Sequence, residues 1–137
     1  MNKIQIACVV DDDEIYTFTV KLIIARSQIA EKTIFFHNGQ AALDFLVDNL
    51  HKNDQLPDLI LLDLNMPVLD GWQFLDEFRK LVPVLNKKIT VYIVSSSIDE
   101  EDYKRAKAIE LVTDFIVKPL TVEHLHEILH LIHEDDI

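Results

Sequence analysis

Leu59–Leu62 is an uninterrupted aliphatic run that closes on one carboxylate, Asp63. Asn65, Met66-Pro67 and Asp70-Gly71 follow before the next helical pattern begins. A short apolar run bounded by turn residues reads as a strand buried on both faces, the kind found in parallel sheets. The Pro and Asp-Gly pieces read as its exit loop. In open α/β sheets ligands bind beyond the carboxyl ends of the strands, so Asp63 stands where chemistry is placed. Taken alone, Asp63 reads as a cap on the following turn. A second acidic cluster, Asp11-Asp12-Asp13, closes another apolar run and changes the balance.

That other run is Ile4–Val10, the expected first strand. Asp12 or Asp13 is placed to cap the helix that follows, whose N-terminus favours negative charge. From Glu14 the period becomes helical: Ile15, Phe18, Leu22 and Ile29 recur as one face, with Lys21 and Arg26 on another, and the helix is expected to end near Ala30. Thr33–Phe36 is a brief second strand suited to a sheet edge. Ala41, Ala42, Phe45, Leu46 and Leu50 mark a second helix. Trp72, Leu75, Phe78 and Leu81 mark a third, which Pro83 interrupts. Ile89–Val94 is β-branched and aromatic and reads as the fourth strand, ending in Ser95-Ser96-Ser97. Asp99 would cap a fourth helix over Glu100–Leu111, whose apolar face is thin. Asp114–Val117 is a fifth strand closed by Lys118-Pro119. The last helix starts near Thr121 and turns Val122, Leu125, Leu129 and Ile132 inward. Strands alternating with helices imply an α/β fold with a parallel sheet and helices on both faces, a doubly wound arrangement.

Composition removes several functions. Lys and Arg number 13 against 24 Asp and Glu, a formal charge of −11, and no basic stripe offers a nucleic-acid footprint. The two glycines, Gly39 and Gly71, are too few and too far apart for a Walker loop or a dinucleotide fingerprint. No apolar stretch is long enough to cross a membrane, and the N-terminus runs into acid before any signal-peptide cleavage site. A cytoplasmic protein is expected. Cys8, the one cysteine, lies inside an apolar run and reads as a small buried hydrophobe.

The C-terminal ends of the expected strands share one rim. The first delivers Asp11 and Asp12, the third Asp63, the fourth Ser95 and the fifth Lys118. Clustered carboxylates raise one another's proton affinity unless a cation intervenes. With oxygen ligands alone on offer, a hard ion such as Mg2+ fits best. A carboxylate in such a setting can attack a phosphoryl group, with the metal and lysine neutralising its oxygens.

With these residues in place, the chain resembles the receiver domain of two-component response regulators, in size close to stand-alone chemotaxis-type members. The likeness runs from Ile4 to about Ile132. It implies a flavodoxin-like five-stranded sheet of order 2-1-3-4-5. It implies Asp63 as phosphoacceptor, Asp12 as direct metal ligand, Asp11 acting largely through water, and the backbone carbonyl of Asn65 as a further ligand. Ser95 matches the switch hydroxyl and Lys118-Pro119 the lysine and its peptide to proline, often cis. The aromatic switch position carries Phe115 rather than the common tyrosine, and Leu111-Val112 stand where the family often has Gly-Ala. Asn65 and Ser97 occupy positions that modulate acyl-phosphate hydrolysis. The implied partners are a sensor histidine kinase or histidine phosphotransfer protein and a downstream protein target. Residues 1–137 read as a single receiver domain with no output domain, so signalling would pass by contact or onward phosphotransfer.

Other residues carry plainer readings. Asp13 is a cap before it is a ligand. Trp72 and Met66 read as packing. His126, His130 and His133 recur at helical spacing but read as a solvated face, as do His37, His51 and His124. Two competing functions stand beside the first. One is a receiver-like interaction module that works without phosphate. The other is an aspartyl-nucleophile phosphatase or mutase, which needs a second aspartate where Asn65 stands.

Overall fold

The computed structural model describes residues 3–66, 68–97 and 99–135. Five strands form one parallel sheet in the order β2-β1-β3-β4-β5. The strands are β1 (Ile4–Val10), β2 (Ala30–Phe36), β3 (Leu59–Leu62), β4 (Thr90–Ser95) and β5 (Val112–Val117). The helices between them are α1 (Glu14–Ser27), α2 (Gly39–Asp48), α3 (Gly71–Leu81), α4 (Glu100–Ala108) and α5 (Val122–Asp135). The strand order reverses between β1 and β3, and at that switch the carboxyl ends diverge into a crevice.

Alternation along the strands sorts the core into two layers. Cys8 and Val10, Ile60 and Leu62, and Val91 and Ile93 face one way, against Leu46 of α2, Phe74 and Phe78 of α3 and Ala106 of α4. Val9, Leu59, Leu61, Tyr92 and Val94 face the other way, against Val20 and Ile24 of α1 and Leu125, Ile128 and Leu129 of α5. The three central strands are thus apolar on both faces, as a covered parallel sheet requires. Cys8 is buried in the first layer, and desolvation pushes its thiol well above the ordinary range, which removes it as a nucleophile.

Helix α1 departs from expectation. Ile15, Phe18 and Leu22 were expected to face inward; they are 82%, 65% and 57% exposed, and the buried positions are Val20, Ile24 and Ser27. Ile29 is buried, but beyond the helix, which ends at Gln28 in the left-handed region (φ 55°). The cause lies in a helix that is apolar nearly all round, so that several phases satisfy the same period. The phase is fixed elsewhere. The Asp13 side chain accepts from the Ile15 and Tyr16 N–H groups, and this cap sets how the chain leaves β1.

Smaller departures concern element ends. Strand β2 begins at Ala30 rather than Thr33, because Glu31 and Lys32 can face solvent on an edge strand while keeping β1 as partner. Strand β5 begins at Val112, whose pairing with Val91 extends it, and α4 stops at Ala108 instead of Leu111. Strand β4 is shifted by one residue. Only Ala106 of α4 is buried, in line with the thin apolar face read from its residues. A 3-10 turn at Val82–Val84 accommodates Pro83.

Candidate functional site

Three backbone hydrogen bonds bring the rim together just past the strand ends. The Asp11 N–H donates to the Phe36 carbonyl at 3.0 Å, the Asp63 N–H to Val10 at 2.9 Å, and the Lys118 N–H to Ser95 at 2.9 Å. Each site residue is therefore the last one that the sheet ladder holds rigidly. Helix α3 then closes on the acceptor strand. A Cβ on Gly71 would sit 2.5 Å from the Asp63 carbonyl oxygen and 2.8 Å from Leu64 Cα, so only glycine permits this approach. Asp70 caps the helix in a reciprocal box with Gln73.

The side chains converge as well. One carboxylate oxygen each from Asp11, Asp12 and Asp63 lie within 4.8 Å of one another. Lys118 Nζ is 2.9 Å from Asp11 Oδ2 and 3.7 Å from Asp63 Oδ1. Asp11 and Asp63 are buried, while Asp12 is exposed at the mouth. Burial and the neighbouring Asp11 charge push Asp63 up to about 6; Lys118 and a hydrogen bond from the Leu64 backbone pull the other way without cancelling that. Among the described residues, Lys118 faces three carboxylates, which leaves the cluster short of positive charge. Oxygen donors of this number and spacing fit a hard divalent cation such as Mg2+.

The remaining predicted residues are placed as follows. Ser95 is fully buried at the tip of β4, and its Oγ accepts from the Ser97 N–H at 3.2 Å. Ser97 in turn donates through Oγ to Asp102 of α4 at 2.8 Å, tying the loop to that helix. Ser95 continues the alternation of Val91 and Ile93 and so shares a face with Phe115, which pairs with Ile93 across β4 and β5. Phe115 is buried, edge-on to Tyr103 of α4 with ring centres 5.8 Å apart. Asn65 lies exposed in the loop two residues past Asp63. The peptide between Lys118 and Pro119 is cis. Pro67, part of the Met-Pro pair, lies outside the described residues; Met66 is buried as packing.

Several residues set aside in the sequence have structural partners. Asp13 caps α1, and its N–H donates to Asp11 Oδ1 at 2.9 Å. Trp72 is half-buried, with the Arg105 guanidinium 4.2 Å from its ring centre. His124 Nδ1 accepts from the Thr121 N–H at the start of α5, and His126 Nε2 lies 3.1 Å from the Ser27 carbonyl. Nothing in the sequence reading singled out Tyr16. Its ring centre stands 3.9 Å from Lys118 Nζ. The one available signal was its position, three residues after the cap of a helix that leaves the acidic turn.

The family model described as the response regulator receiver domain matches residues 7–130. The chain belongs to the response regulator receiver family. A two-component response regulator from Cytophaga hutchinsonii has the same fold, with a TM-score of 0.87 and 31% identity over 97% of this chain and 99% of that one. The response regulator Rcp1 of Synechocystis sp. is 31% identical over 74% of this chain and 68% of its own length. The Mn(2+)-bound form of response regulator Rcp1 superimposes with a TM-score of 0.70 and 26% identity, covering 95% of this chain and 92% of that one. The flavodoxin-like sheet of order 2-1-3-4-5 is thus both the observed topology and that of a receiver, and the acidic cluster lies where a receiver's phosphoacceptor site is expected. Among the described residues, no helix is long and apolar enough to cross a membrane.

Proposed function

We propose that this receiver accepts a phosphoryl group on Asp63 from phosphohistidine of a sensor kinase or histidine phosphotransfer protein. The observation that carries the reading is the convergence of Asp11, Asp12 and Asp63 with Lys118 Nζ between two of them. An Asp63 carboxylate oxygen attacks phosphorus, the O–P bond forms, and the P–N bond to the donor histidine breaks. Asp11, Asp12, Asp63 and the Asn65 carbonyl would hold Mg2+. Bound there, the ion supplies Lewis-acid neutralisation of charge on the transferring phosphoryl oxygens. Lys118 contributes a positive charge 3.7 Å from Asp63 Oδ1. Burial keeps bulk water from Asp63 and strengthens each of these interactions.

The added phosphate brings roughly −1.5 to −2 charge and strong acceptors. Ser95 is the hydroxyl that turns toward it, giving up the Ser97 N–H it now accepts from. The Ser97–Asp102 contact carries that change to α4, and Phe115 repacks against Tyr103 behind it. The face of α4, β5 and α5 then passes the signal by protein contact or onward phosphotransfer. The exposed stripe of Ile15, Phe18 and Leu22 on the helix that follows the acidic turn supports a protein donor, since exposed apolar patches mark partner surfaces. We read the chain as acting in the cytoplasm.

Labelling with radioactive acetyl phosphate and Mg2+ tests the reading. The unsubstituted chain is expected to take up hydroxylamine-sensitive phosphate, and Asp63→Asn to take up none. Full labelling of Asp63→Asn would overturn the assignment. A chain that takes no label and still binds its partners would instead favour the phosphate-independent interaction module.

A further inference from the structure

We propose that Tyr16 is a positioning residue for phosphoryl transfer: its ring face holds the Lys118 ammonium in line with Asp63. The inference rests on the reading of Asp63 as phosphoacceptor. Among the described residues, two carboxylates and one ring lie close to Lys118 Nζ. Asp11 Oδ2 lies at 2.9 Å, Asp63 Oδ1 at 3.7 Å, and the Tyr16 ring centre at 3.9 Å. The side chain is only 15% exposed, so the ring closes much of what the carboxylates leave open. An ammonium so placed is drawn to the negative face of the ring, most strongly where water is excluded.

The turn that builds the acidic cluster also places the ring. Asp11 Oδ1 accepts from the Asp13 N–H at 2.9 Å, and Asp13 Oδ1 accepts from the Tyr16 N–H at 3.1 Å. Asp11 and Tyr16 are therefore locked to one another through Asp13. Burial and the nearby Asp11 and Asp63 carboxylates hold the Tyr16 hydroxyl above its ordinary range, so the ring stays neutral.

Lysine needs such a contact. Its stem has four rotatable bonds and its charge is a point, so nothing in the side chain itself sets a direction. Both of its carboxylate neighbours, Asp11 and Asp63, belong to the cluster that a divalent cation would compete for. The ring is the contact that such competition does not weaken, because its attraction depends on a fixed quadrupole and not on a shared carboxylate. Tyr16 then keeps the ammonium beside Asp63 when the carboxylates are shared with a cation. A plain packing role predicts something different: loss of the ring would loosen α1 and act equally whether or not Lys118 is present.

A double-substitution cycle separates the two, using acetyl phosphate as donor. In that reaction an Asp63 oxygen forms the new bond to phosphorus, the acetyl O–P bond breaks, and acetate leaves. Tyr16→Leu is expected to lower the saturating labelling rate roughly three- to thirtyfold, the range a desolvated cation–ring contact spans. Its Mg2+ affinity should stay within about twofold of the unsubstituted chain, since no cation ligand has been removed. Tyr16→Phe, which keeps the ring, should recover the rate to within about threefold. In a Lys118→Met background Tyr16→Leu should have no further effect. Tyr16→Met fills the space without a ring; it is carried in parallel and held to the same result should Tyr16→Leu fold poorly. An unchanged rate in both ringless variants overturns the inference. So does an equal loss with and without Lys118. No labelling of the unsubstituted chain at Asp63 overturns the phosphoacceptor reading itself, and this inference falls with it.

Discussion

Helices α1 and α3 leave the same rim by the same device and then use their apolar residues in opposite ways. Each is capped by an aspartate, Asp13 or Asp70, that follows a site carboxylate in the chain. Helix α3 turns Phe74, Leu75 and Phe78 into the core, with the Phe74 and Phe78 rings stacked 5.9 Å apart. Helix α1 turns Ile15, Phe18 and Leu22 to solvent and buries Val20 and Ile24. The difference follows from what lies beneath. Gly71 brings the start of α3 almost onto the backbone of Asp63 and Leu64, so its one apolar face must point down. Helix α1 has apolar residues on more than one face, and its cap chooses among them. The stripe it leaves uncovered begins two residues after the Asp13 cap.

The largest expected difference between the two helices is in stability. Phe74→Ala should destabilise by about 3 to 5 kcal/mol, since a fully buried ring leaves both lost transfer energy and a cavity. Phe18→Ala on α1 should change stability by no more than about 0.5 kcal/mol, as for other exposed positions. Urea denaturation of the two variants measures both. Equal losses would mean that Phe18 is covered in solution and would break the contrast.

This contrast also marks where the sequence was legible. Strand β3 was readable to the residue, because a strand covered on both faces has to be apolar throughout. The convergence of Asp11, Asp12, Asp63 and Lys118 was readable from topology: once the strands are parallel, their carboxyl ends share an edge. The inward face of α3 was readable in part: Leu75 and Phe78 were marked and are buried, Trp72 and Leu81 are partly buried, and Phe74 was not marked. The face of α1 was not, because its pattern fits several phases and a backbone cap decides among them. Tyr16 was hidden for a related reason. Its importance lies in a contact with a residue 102 positions later in the chain, and no local pattern encodes that.

Next in size is the pH dependence of the site between the two helices. Asp63 has its carboxyl raised from 3.8 to about 6 in the folded chain. Between those values the folded state holds a proton that the unfolded state has released. Stability from this group is therefore complete below pH 3.8 and is lost as pH rises through about 6. Allowing for solvent screening, the loss is roughly 1 to 2 kcal/mol. Asp63→Asn should remove that slope and be the more stable chain at neutral pH. Mg2+ favours the ionised carboxylate, so its affinity should climb through the same window. Thermal denaturation and Mg2+ titration between pH 4 and 8 check both signs. A Mg2+ affinity that is flat across the window would separate Asp63 from the cation site.

The two caps should be worth less and should be similar. Removing either Asp70 or Asp13 as alanine is expected to cost about 1 kcal/mol, the usual value for an N-cap aspartate. They should differ in function. The Asp13 backbone N–H donates to Asp11; alanine keeps that N–H but loses the side-chain cap that holds its turn, so Asp13→Ala is expected to weaken Mg2+ binding a few-fold more than Asp70→Ala does. Isothermal titration with Mg2+ compares the variants directly. If Asp70→Ala weakened the site more, the acidic turn would owe its shape to α3 and the roles assigned to the two helices would be reversed.

The smallest effect on the chain itself is expected from Phe18→Ser. Position 18 is exposed and touches neither the carboxylates nor Lys118 in any described hydrogen bond or ion pair. The unfolding midpoint and the rate of labelling by acetyl phosphate should both be unchanged. Transfer from a phosphohistidine protein of the same genome should nevertheless slow by about threefold, because an exposed aromatic at a contact surface carries part of the docking energy and none of the chemistry. A small donor never touches the stripe, and a protein donor must approach the site past it. Stopped-flow transfer from the phosphorylated donor, run beside acetyl phosphate labelling, separates docking from reactivity. Equal slowing with both donors would place Phe18 in the site and not beside it. No slowing with either would leave the exposed face of α1 without a part in phosphoryl transfer, and α3 would then be the only one of the pair whose apolar residues have an assigned purpose.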